Sequence, residues 1–70
     1  MPYLCFINPR AGEVPHFQVL PAYNRSGAVH HAARLLREHD DADTADLLRG
    51  EDLVLRISRA EANRIVAASS

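Results

Sequence analysis

Seventy residues carry a formal charge of −1, with eight arginines, no lysine and nine acidic residues, so no whole-molecule field draws this chain to nucleic acid or anionic membranes. One cysteine excludes an intramolecular disulfide, and no paired Cys/His spacing suggests zinc. A single domain spanning 1–70 buries only about 60% of its unfolded surface, so self-association is the expected source of extra burial, with a homodimer first among oligomers. The exclusive use of arginine fits a GC-rich, bacterial genome.

Tyr3 to Ile7, YLCFI, is a short aromatic and β-branched run stopped by Asn8-Pro9, which reads as a strand. Tyr3, Cys5 and Ile7 point to one side and Leu4 and Phe6 to the other, and both sides are apolar. Such a strand sits inside a two-sided sheet or gives one face to another subunit. The start MPYLCFINPR has no basic leader region and its apolar run is too short to span a bilayer, so a cytoplasmic protein without membrane contact is expected. Asn8 to Pro15 is turn-rich. Phe17 to Leu20, with Phe17 and Val19 sharing a face, is expected to return antiparallel to the first strand, and Pro21 places that strand at an edge or bulge.

Ser26 to His39, SGAVHHAARLLREH, has the clearest period in the chain. Stepping 100° per residue gathers Ala28, Val29, Ala32, Ala33, Leu35 and Leu36 within an arc of about 160°, and puts His30, Arg34 and Arg37 on the opposite side. Ser26 is the expected N-cap, although Val29 at N3 leaves any capping box open. The acids of Asp40 to Asp46 end this pattern. Thr44 to Leu48 and Leu53 to Ile57 then read as a hairpin around Gly50, with a single helical turn over Ala45 to Arg49 as the alternative. In the second of these strands Leu53, Leu55 and Ile57 are expected inward, Val54 and Arg56 outward. Ser58-Arg59-Ala60-Glu61 is a capping box that starts a final helix, whose stripe is Ala62, Ile65, Val66 and Ser69.

The chemistry-bearing residues form no recognisable catalytic motif. Cys5 lies in an apolar strand without a nearby acid or base and reads as core filler. His30 and His31 diverge by 100° instead of sharing an i, i+4 face, and His39 suits a C-terminal cap better than a ligand. Asp40, Asp41, Asp43 and Asp46 lack the glycine and terminal glutamate of a calcium loop. Neither a metal nor another cofactor is expected, and the protein is expected not to be an enzyme. Arg25, His30, Arg34 and Arg37 are the candidate contacts to a partner or a phosphate, and Tyr3, Leu4, Phe6 and Ile7 the candidate self-association residues. The expected fold is α+β, a small antiparallel sheet in β-β-α-β-β-α order with its helices on one face. The expected function is a small oligomeric protein-interaction module. The alternative is a nucleic-acid-associated regulator, antitoxin-like or transcription-associated, that uses the Arg/His helix face.

Overall fold

The computed structural model describes residues 2–12, 14–22 and 24–68. The elements run β1 (Tyr3–Pro9), β2 (His16–Leu20), α1 (Arg25–Glu38), β3 (Ala42–Arg49), β4 (Asp52–Ser58) and α2 (Arg59–Ala68). The strands form one antiparallel sheet in the order β2-β1-β3-β4. The fold is the expected α+β domain, with strand β1 in the interior of the sheet and the helices packed together on one face. The helices cover the Tyr3, Cys5 and Ile7 side of β1, whereas Leu4 and Phe6 lie on the side the helices leave open.

The apolar arc of α1 behaves as its period requires. Ala28, Ala32, Ala33, Leu35 and Leu36 are buried and Val29 packs against them. The small alanines let the helix axis approach the sheet, where Leu36 meets a layer that includes Cys5, Leu47 and Ile57, all fully buried. The helix begins earlier than expected. Asn24, not Ser26, is the N-cap, and its Oδ1 accepts from the Gly27 N–H at 2.8 Å, which makes Arg25 the first helical residue. An asparagine carbonyl two residues upstream serves the N3 donor as well as a serine hydroxyl, so local competition between two good caps decided this boundary. His39 closes the helix as expected, its backbone N–H donating to Leu36 O and its ring Nδ1 lying 2.8 Å from Leu35 O.

The hairpin reading of residues 44–57 holds, and the single helical turn does not form. β3 begins at Ala42, two residues earlier than expected, so Asp43 joins Asp46 in the strand. Arg49 pairs with Asp52 across Gly50-Glu51, and Gly50 takes φ 63°, a conformation that side chains disfavour. The expected facing of β4 fails at one end. The register between β3 and β4 shifts at Leu47/Leu48, so that Leu47 faces Leu55 while Leu48 faces Leu53. The extra residue is Val54, which packs against the core, while Leu53 turns outward and is 59% exposed. A bulge breaks strict alternation, and three consecutive apolar residues carry no sequence mark of where it falls.

The capping box at the start of α2 is formed. Glu61 Oε1 accepts from the Ser58 N–H at 3.2 Å and the Glu61 N–H donates to Ser58 Oγ at 3.2 Å. The Ser58 backbone donor, with its hydroxyl, draws the Glu61 carboxyl below its ordinary range. Ala62 is buried, with Ile65 and Val66 packed against the core; Ser69 lies outside the described residues. No helix is long and apolar enough to cross a membrane among the described residues.

Candidate functional site

With both helices on one side, the register defines what the sheet offers on the other. One row across the strands reads Val19, Leu4, Leu48, Leu53; the next reads Phe17, Phe6, Asp46, Arg56; the third reads Asn8, Thr44, Ser58. The face therefore grades from wholly apolar at one end to wholly polar at the other. Phe17, Val19 and Leu53 are 55%, 54% and 59% exposed, and Leu4, Phe6 and Leu48 are half-buried between them. The rings of Phe6 and Phe17 lie 5.1 Å apart at 48°, a tilted pair of the kind that stabilises adjacent strands.

A polar cluster closes the face. Arg56 donates from Nε to Asp46 Oδ1 at 2.6 Å and from Nη2 to Oδ2 at 3.2 Å, and the Asn8 amide donates to Asp46 Oδ2 at 3.2 Å and to Thr44 Oγ1 at 3.1 Å. The hydrogen bonds from Arg56 hold the Asp46 carboxyl below its ordinary range against an opposing push from burial, and the Asn8 amide adds to the lowering. The arginine charge on this face is thus matched by a carboxylate, as is that of Arg10 by Asp43 at 2.9 Å nearby.

The four residues expected to self-associate divide between the two faces. Leu4 and Phe6 stand on the open side, whereas Tyr3 and Ile7 are buried under the helices at 8% and 2% exposure and cannot reach a partner. Tyr3 and Ile7 are corrected to core residues because α1 covers the odd positions of β1. Phe17, Val19, Leu48 and Leu53 stand beside Leu4 and Phe6 on the open side. The shared facing of Phe17 and Val19 was readable from alternation, and their position beside Leu4 and Phe6 follows from the register; nothing in the sequence marks Leu53.

On the helix layer, Arg34 and Arg37 are exposed and His30 is half-buried on the outer side of α1. They do not form one basic site with Arg25. Arg25 and His30 line a groove with Ser26, Val29, Ile65 and Ala68, whereas Arg34 shares a separate depression with His31, Leu35 and Glu38. Cys5 is fully buried, and desolvation, with the charge of Asp46 behind it, pushes its thiol up to about 11. That is the reverse of what a nucleophilic cysteine needs. Among the described residues no group of three or more His, Cys, Asp or Glu side chains is placed to hold a metal ion.

No protein family, curated protein or solved structure matches the chain.

Proposed function

We propose that this chain is a non-catalytic protein-interaction module that pairs with a second copy of itself through the open face of its sheet. The observation that carries the reading is the row Val19, Leu4, Leu48, Leu53 with Phe17 and Phe6 beside it, contiguous apolar surface on a face that no helix covers. Contiguous apolar surface of this kind marks interaction sites. Four strands spaced about 4.8 Å apart and about 20 Å long present a face on the order of 400 Å² in projection. Its corrugated accessible area is larger, so two copies reach the total of about 1,000 Å² at which specific interfaces begin. The polar row of Asn8, Thr44 and Ser58 supplies one hydrated rim, and the matched Asp46–Arg56 pair leaves little net charge to repel a copy. A thin molecule of 31 × 29 × 16 Å, two layers deep, gains a third and fourth layer by this pairing.

Sedimentation equilibrium of the wild type and of Phe17→Asp tests it. Phe17 is 55% exposed, so the substitution leaves the monomer's core intact. About half of a side chain that buries some 150–250 Å² is at stake. At about 25 cal/mol per Å² that is about 2.5 kcal/mol per copy, or about 5 kcal/mol per dimer. The variant should therefore dissociate more than about a thousandfold more readily. A wild type that is monomeric at 100 μM, or a Phe17→Asp chain that dimerises equally well, overturns the proposal.

A further inference from the structure

We propose that His16 and His39 form a two-imidazole site for a zinc-class divalent transition-metal ion, on the helix side of the molecule and independent of the open sheet face. The two residues are 23 positions apart in the chain, which is why neither shows a ligand spacing in the sequence. The fold joins them. His16 is the first residue of β2 and pairs with Ile7, on the side of the sheet that α1 covers, and His39 is the C-cap of α1, which ends over the same end of the sheet. Their ring centroids stand 5.3 Å apart with 46° between the planes.

Two details fit metal binding. The Leu35 carbonyl can only accept, so the 2.8 Å contact places the proton of the neutral His39 ring on Nδ1 and leaves the Nε2 lone pair available. A histidine ligand held by a backbone carbonyl through its other nitrogen is the usual arrangement at metal centres. His16 is exposed and its ring makes no hydrogen bond among the described residues, so it can turn to share an ion. The separation is also right. With metal–nitrogen bonds of about 2.0–2.1 Å and a ring nitrogen about 1.1 Å from its centroid, each centroid would lie roughly 3.1–3.2 Å from the ion. A 5.3 Å gap between centroids then subtends roughly 112–117°, near the tetrahedral angle. The site takes two protein ligands, with water completing the shell, which makes it open and exchangeable rather than a closed structural centre. Imidazole donors select zinc, copper or nickel over magnesium or calcium. The exposed Asp40 and Asp41, which follow His39 directly, add negative charge beside it.

Isothermal titration of the untagged protein with zinc chloride, in a non-chelating buffer at pH 7.5, tests the site. One ion should bind per chain. His16→Ala removes an exposed side chain and should weaken binding by at least about tenfold, since even outer-shell losses cost that much. His39→Asn keeps a residue suited to a helix end and should weaken it similarly, with circular dichroism showing that both variants stay folded. His30→Ala and His31→Ala should bind as the wild type does. The Phe17→Asp chain should also bind zinc normally, so failure of the dimer and failure of the metal site are read separately. No heat at millimolar zinc, or zinc affinity unchanged in His16→Ala, overturns the proposal.

Discussion

Replacing Arg59 with methionine should cost about 3 kcal/mol of folding stability, although its guanidinium ends at backbone carbonyls and not on the open face. Arg59 is the first residue of α2, where a cation opposes its own helix dipole, but its guanidinium is delivered to the opposite pole of α1. Nη2 lies 2.5 Å from His39 O, 2.5 Å from Ala42 O and 3.3 Å from Leu36 O. A single nitrogen has two protons, so the two short contacts take them and Leu36 O is a weaker third. Each bond from a charged donor is worth about 1.5–3 kcal/mol net, the low end applying to a part-buried pair, and loss of the cation at the α1 C-terminus adds about 0.3–1 kcal/mol. The sum at the low ends, about 3 kcal/mol, is a third or more of the total of roughly 3.5–10 kcal/mol expected for a chain of this length. Urea unfolding monitored by circular dichroism should show a lower midpoint with an unchanged slope, and the melting temperature should fall by on the order of 12–24 °C. Arg59→Lys, which can reach fewer of the carbonyls, should fall between the two. Stability of Arg59→Met within about 0.5 kcal/mol of the wild type, the range of an ordinary surface substitution, would refute the reasoning.

The bulge in β4 makes adjacent residues behave oppositely: Leu53→Asp should fold and fail to associate, whereas Val54→Asp should lose its cooperative unfolding transition, and the reverse outcome in a melting and sedimentation comparison would disprove the register. Because the Cys5 thiol is raised from about 9.0 to about 11 in the folded chain, the unfolded state ionises first. Stability should therefore be intact below pH 9 and decline between about pH 9 and pH 11, a decline that Cys5→Ala removes. Native Cys5 should also resist thiol reagents at neutral pH until denaturant is added, as followed by a chromogenic disulfide. The Asp46 carboxyl is lowered from its ordinary 3.8 in the folded state, so its stabilisation is present above that pH and disappears as pH falls through the folded value. Asp46→Asn should be less stable at neutral pH and show a shallower acid limb in pH-dependent urea melts, and an acid limb identical to the wild type's counts against the Arg56 contact.

Most of the fold was legible because its elements are locally consistent. The Ala/Leu period of α1, the Ser58/Glu61 box and the glycine at 50 each point to the structure that forms. What escaped was set by competition between local caps and by tertiary pairing. The early start of α1 turns on which of two polar side chains, Asn24 or Ser26, reaches the third helical N–H. The extension of β3 back through Asp43, with Asp46 also within it, runs against the low strand propensity of aspartate, and Arg10, Asn8 and Arg56 supply the partners that make it acceptable. The candidate surface was half legible. Alternation in β1 separates Leu4 and Phe6 from Tyr3 and Ile7 without saying which pair the helices cover, and only the packing of α1 on the odd side decides it.

That choice has a consequence for how two copies could meet. Because the open face is graded, a twofold axis parallel to the sheets but across the strands would set the polar row of Asn8, Thr44 and Ser58 against the apolar row of the other copy, stripping water from hydroxyl and amide groups that gain no new partner there. A twofold axis parallel to the sheets and along the strands brings apolar row onto apolar row and polar row onto polar row at the rim. Twisted sheets that pack face to face hold their strands about 30° apart, an arrangement this second axis allows when it bisects that angle. In such a pair the gradient that leaves Asp46–Arg56 between apolar and polar ends would select orientation as well as affinity, with residues that the monomer already needs for its own sheet.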